Sequence, residues 1–180
     1  MTRYAAFLGS INVGGNRLKM DALVAVLTEA GFVNVATVVA SGNVLFDHGE
    51  AADAALEAEI ARIVKDAFGI DTFAAVRTGE EIRSAIEDNP FVGGSEEKFV
   101  HTLFLEGEPT QAQFDALVAD HRGRGAEKLA LGPRCLYIDF ADGVADSKLT
   151  NAFMEKRLGR RGTARNVRSL ARILTKMART

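Results

Sequence analysis

Residues 33–40 and 44–46 are apolar and β-branched, and only Ser41-Gly42-Asn43 separates them. Three residues cannot carry the crossover that joins parallel neighbours, so the two runs predict a hairpin or an equally tight strand-to-strand connection. A chain that must turn back there, with helices on either side of the turn, has few folds open to it.

The flanking pattern supplies those helices. Residues 4–8 read as a short buried strand. Met20, Leu23, Val24, Leu27 and Ala30 then recur at helical spacing, and Gly31 provides a left-handed stop. After the paired strands, Leu56, Ile60, Ile63, Val64 and Ala67 mark a second helix ending at Gly69, and residues 72–78 a fourth strand. The order βαββαβ, with helices on one face of an antiparallel sheet, is the ferredoxin-like split βαβ arrangement.

Residues 80–88 predict a short helix that Asn89-Pro90 ends, because proline pushes its predecessor out of helical geometry. Residues 89–97 are the candidate boundary, dividing the chain into 1–90, a ferredoxin-like α+β subdomain, and 91–180, a second one. Beyond the boundary, strands are expected at 99–105, 128–131 and 135–140, with a helix at 110–120. This smaller βαββ unit is followed by C-terminal helices. One runs from Leu149 to the stop at Gly159; the other carries Val167, Leu170, Ala171, Leu174, Met177 and Ala178 as its apolar stripe. The renewed βαββ order suggests a degenerate duplication, although no residue-level repeat is visible.

At 180 residues the expected class is therefore α+β in two subdomains. No apolar run is long enough to span a membrane, and Asn12 with the following glycines argues against a signal peptide. Cys135 is alone, so no intrachain disulfide is expected; a cytoplasmic protein with no cofactor fits. His48, His101 and His121 are scattered without metal-ligand spacing, so no metal site is expected. No nucleophile elbow is present.

A net charge of −2 conceals a split. Residues 1–97 hold 7 Lys/Arg against 15 Asp/Glu, whereas residues 98–180 hold 15 against 9. Residues 147–180 carry 10 basic side chains and one acid, Glu155. Arg165, Arg168, Arg172, Lys176 and Arg179 fall three or four apart, which predicts one continuous ridge along the last helix. Guanidinium groups on such a ridge suit phosphate oxygens, which they can bind bidentately. The plainer reading is a solvated face balanced by the acidic first half.

Two glycine-containing loops also qualify as anion sites. Residues 9–20 lead from a strand to a helix N-terminus, where free N–H groups favour anions. Asn12, Gly14, Gly15 and Lys19 are the candidates there, but no P-loop or dinucleotide fingerprint is present. Ser41 and Asn43 would offer polar groups beside them if strands one and three are neighbours. In both loops the competing reading is a turn that uses glycine for positive φ.

The combination of Phe7-Leu8 leading into Ile11-Asn12-Val13-Gly14-Gly15, Met20 opening a helix, and Ser41-Gly42-Asn43-Val44 with Phe46 resembles the bacterial family of uncharacterised proteins called DUF1697. Asn89-Pro90-Phe91, Lys148-Leu149-Thr150-Asn151, Glu155-Lys156 and Thr163-Ala164-Arg165-Asn166 extend the likeness across nearly the whole chain. The resemblance implies two α+β subdomains in a cytoplasmic bacterial protein and brings no activity with it. The family commonly has Arg-Gly where this chain has Gly9-Ser10, and an aromatic where Val167 stands. The first change removes a cation from the glycine loop, and the second a platform on which a base would stack.

The reading that follows is a protein binding nucleic acid or another phosphate-bearing molecule through its basic end, with Lys148, Asn151, Lys156, Arg165, Asn166, Arg168 and Arg172 as contacts. The alternatives are an enzyme acting on a small phosphorylated or nucleotide substrate in a cleft between subdomains, and a protein-interaction module. No membrane partner is expected, and the oligomeric state is left open.

Overall fold

The computed structural model describes residues 1–11, 17–39 and 42–179. Contacts divide the chain into two units, Met1–Arg83 with Ala171–Thr180, and Ser84–Leu170.

The first unit runs β1 (Thr2–Leu8), α1 (Met20–Glu29), β2 (Val33–Thr37), β3 (Asn43–His48), α2 (Ala54–Phe68) and β4 (Ala74–Thr78), followed by α3 (Gly79–Glu87). Its sheet order is β2-β3-β1-β4, antiparallel throughout, which is the ferredoxin-like order. Alternation of strand side chains sends Ala6, Leu8, Val44, Phe46 and Val76 towards Leu23 and Leu27 of α1 and Leu56, Ile60 and Val64 of α2. Phe32 meets Phe46 edge-on, ring centroids 4.9 Å apart.

The helix ends follow local chemistry. Asp53 accepts from the N–H groups of Ala55 and Leu56 at the start of α2. Gly31 and Gly69 adopt positive φ, 96° and 69°, just beyond α1 and α2, as the sequence predicts.

The second unit contains β5 (Val100–Leu105), α4 (Gln111–His121), β6 (Lys128–Gly132), β7 (Cys135–Asp139), α5 (Asn151–Leu158) and β8 (Gly162–Asn166); α6 (Val167–Ala178) follows, and its residues from Ala171 on belong to the first unit. It is fuller than the βαββ unit expected from the sequence. β8 pairs antiparallel with β5 and completes a second sheet of order β6-β7-β5-β8. Leu103, Leu105, Leu136 and Ile138 of this sheet pack with Leu117 of α4 and Met154 and Leu158 of α5.

The two sheets match row for row. Ala36, Leu45, Ala5 and Arg77 lie in register across the first. Ala130, Tyr137, Thr102 and Arg165 take the same places across the second. Arg77 and Arg165 each donate from Nη1 to the preceding carbonyl, of Val76 at 2.8 Å and of Ala164 at 2.9 Å. Thr78 and Asn166 follow them and cap α3 and α6, accepting from Glu81 N and Ser169 N. The duplication is thus a βαββαβα module used twice.

Each module also protects its outer strand in the same way. β4 and β8 are sheet edges, and an unpaired edge N–H is a liability. Glu57 of α2 accepts from Val76 N at 2.9 Å, and Glu155 of α5 accepts from Gly162 N at 3.1 Å.

Candidate functional site

The described residues among those named from sequence belong to both units, and each has its own local setting. Asn12, Gly14, Gly15 and Ser41 lie outside the described residues. Lys19 is the exposed N-cap residue of α1 and makes no side-chain cap bond. Asn43 opens β3 and is 1% exposed. Its Nδ2 donates to the Val38 carbonyl at 3.2 Å, and its own carbonyl accepts from Val38 N at 3.3 Å. Asn43 therefore clamps the β2–β3 connection.

In the second unit, Lys148 is exposed just ahead of α5, and Lys156 is exposed in its last turn. Asn151 donates from Nδ2 to the Gly162 carbonyl at 3.2 Å, helping Glu155 hold the edge of β8. Asn166 is engaged as the cap of α6.

Arg165 departs from the expected ridge, because it belongs to β8 and not to the helix. Its Nη1 donates to Thr163 Oγ1 at 2.6 Å as well as to Ala164 O. Burial lowers its guanidinium pKa to about 10. The exposed ridge is instead Arg168, Arg172, Lys176 and Arg179. The apolar stripe shifts too: Val167, Leu170, Ile173 and Met177 are buried, whereas Ala171 and Ala178 are exposed. Alanine fits either face of a helix, so its position says little about which face turns inward.

The end of this ridge forms a groove within the first unit. Val38 and Val39 make one wall, and Arg172, Thr175, Lys176 and Arg179 make the other, around about 490 Å³. Among the described residues no carboxylate side chain lines it. α6 itself contains no acidic residue. Val39 is 46% exposed and holds φ at 65°. That region is costly for a β-branched residue, by about 1–3 kcal/mol, and such strain clusters at binding sites. The volume is in the range of small-molecule sites, which runs from about 300 to 1,000 Å³.

A second polar cluster, which sequence spacing could not reveal, joins residues 121, 127 and 147. Ser147 Oγ donates to Glu127 Oε1, and Glu127 Oε2 lies 3.3 Å from Nε2 of the buried His121. Leu149 N donates to Ser147 Oγ at 3.1 Å. The carboxylate stands between hydroxyl and imidazole, so no serine–histidine nucleophile pair is formed. The cluster instead ties the end of α4 to the segment before α5.

Desolvation raises the Glu127 pKa, but the Ser147 hydroxyl, its own backbone N–H and His121 together outweigh it, and the net shift is downward from 4.5. A group depressed on folding contributes stability that is complete above its unfolded pKa and is lost as pH falls through the folded value. Urea unfolding followed downward from about pH 6 should show stability declining below about 4.5. Glu127→Gln should be less stable at neutral pH and show a shallower decline. An acid limb equal in the two proteins would assign the dependence elsewhere.

Among the described residues no cluster of His, Cys, Asp or Glu could hold a metal, and no helix is long and apolar enough to cross a membrane.

No curated protein matches the chain. Among solved structures it is similar to the conserved bacterial protein SP0830 from Streptococcus pneumoniae, at 22% identity over 99% of each chain, with a TM-score of 0.76. At that identity the likeness is one of fold. The family described as "Protein of unknown function (DUF1697)" matches residues 1–137, covering the first module and the second as far as β7. By that match, the chain belongs to the DUF1697 family.

Proposed function

We propose that this protein binds nucleic acid in the cytoplasm through the cationic ridge of α6. The observation that carries the reading is the groove at the end of that helix, where Arg172, Lys176 and Arg179 stand opposite the apolar Val38 and Val39, with no carboxylate side chain among the described lining residues. The ridge from Arg168 to Arg179 covers twelve residues, about 16 Å at helical rise. A run of phosphates fits that length better than one phosphate does. Arg172 and Arg179 supply planar bidentate donors, and Lys176 a point charge. The lone buried Cys135 suits a reducing compartment.

The protein has two Tyr and no Trp, so it absorbs weakly at 280 nm and bound nucleic acid would dominate its spectrum. Protein purified in low salt should show a raised 260/280 nm absorbance ratio, which a high-salt wash removes because phosphate contacts release counterions. A ratio unaffected by the wash would count against the ridge.

A further inference from the structure

We infer that the groove takes an unpaired nucleotide of a single strand, with Val38 and Val39 meeting the base while α6 holds the phosphates; this rests on the nucleic-acid reading above. The two walls differ in chemistry. Arg172, Lys176 and Arg179 are cationic, whereas Val38 and Val39 are apolar. A ligand complementary to both carries negative charge on one side and an apolar surface within a few ångströms of it. A nucleotide of a single strand is built that way, since its base face is open to contact. In a duplex the faces are stacked on one another, and only edges and backbone are available.

Val39 is held in a form that serves contact more than stability. A valine at φ 65°, left 46% exposed, gains little from burial and bears backbone strain. The buried Asn43 fixes the preceding residue through both the N–H and the carbonyl of Val38. Val39 is thereby presented at the groove with its position set. Valine is not aromatic, so its contact with a base is weaker than ring stacking and tolerant of sequence.

The test is fluorescence anisotropy with a labelled 12-nucleotide DNA strand and with the duplex of the same sequence, for the natural protein and for Val39→Gly and Val39→Asn. Glycine and asparagine both accept a left-handed backbone, so neither variant should lose thermal stability. The natural protein should bind the single strand about fivefold more tightly than the duplex, a smaller preference than an aromatic platform would give, because valine contacts a base without ring stacking. Both variants should bring the two affinities within about twofold and keep the salt-sensitive remainder. Equal binding of the two forms by the natural protein, or a preference that survives both substitutions, would overturn the inference and leave the α6 reading standing. Failure to bind either form would overturn both.

Discussion

Replacing Glu57 with alanine should destabilise the protein by about 3–5 kcal/mol, the range for breaking a buried ion pair from one side. Glu57 Oε1 lies 3.0 Å from Arg77 Nη1, and the two side chains are only 11% and 3% exposed. The same oxygen accepts from Val76 N at the open edge of β4. Alanine would leave a guanidinium and a strand N–H without that acceptor in a place water scarcely reaches. Glu57→Gln keeps an acceptor oxygen and should cost less, about 1–3 kcal/mol. Replacing both members with apolar residues, Glu57→Leu with Arg77→Met, should recover much of the loss, because the damage comes from an uncompensated charge. Urea denaturation of the four proteins measures all of this. A Glu57→Ala protein within about 1 kcal/mol of the natural one would show that the pair is no more than an exposed surface bridge.

The second large effect concerns α6. Arg172→Glu with Lys176→Glu should lower affinity for a short DNA strand at least about 100-fold in moderate salt, since two phosphate contacts are lost and two repulsions are gained. Both side chains are exposed, and charge changes at such positions usually alter stability by less than about 0.5 kcal/mol. Binding should therefore fail in a protein that still folds. The same reversal at Lys148 and Lys156, which do not line the groove, should change affinity by less than about threefold at equal net charge. Equal losses from the two pairs would mean that total charge, and not the groove, governs binding.

The elements with strong local signals were legible in the sequence. Gly31, Gly69 and Gly159 each stop a helix at positive φ, where glycine bears little strain. Residues 38–42, the five between β2 and β3, are too few for a crossover, so the two strands pair antiparallel, and β3 falls beside β1 in the ferredoxin-like order. β8 gave no comparable signal. It has five residues, among them Thr163, Arg165 and Asn166, and it pairs on one side only, so neither an apolar run nor alternation marks it.

The repeat was hidden for a related reason. Many positions that coincide hold unlike residues, such as Leu45 with Tyr137 and Ala5 with Thr102, and the matches, Phe7-Leu8 with Phe104-Leu105, Ala36 with Ala130 and Asp47 with Asp139, are too scattered to stand out. Arg77 and Arg165 keep both identity and the bond to the preceding carbonyl. Without the strand register, two arginines 88 positions apart look unrelated.

The candidate site divides along the same line. Helical periodicity finds Arg168, Arg172, Lys176 and Arg179, because spacing alone places them on one face. It also draws in Arg165, since the pattern does not show where β8 ends and α6 begins. The opposite wall could not be read at all. Val38 and Val39 extend a β-branched run and look like more strand, and no sequence rule assigns a left-handed backbone to valine. Asn43 was visible as a polar residue in a turn, but its buried bond to Val38 depends on the fold.

The most direct measurement is the affinity of the natural protein for a labelled single strand across a range of monovalent salt. Three to four cations of α6 engaging phosphates predict a slope of log K against log salt of about −2 to −3, from about −0.7 for each contact on a single strand. Arg172→Glu with Lys176→Glu should flatten it towards zero. A slope near zero in the natural protein, at whatever affinity, would contradict the claim that this helix binds a phosphate backbone.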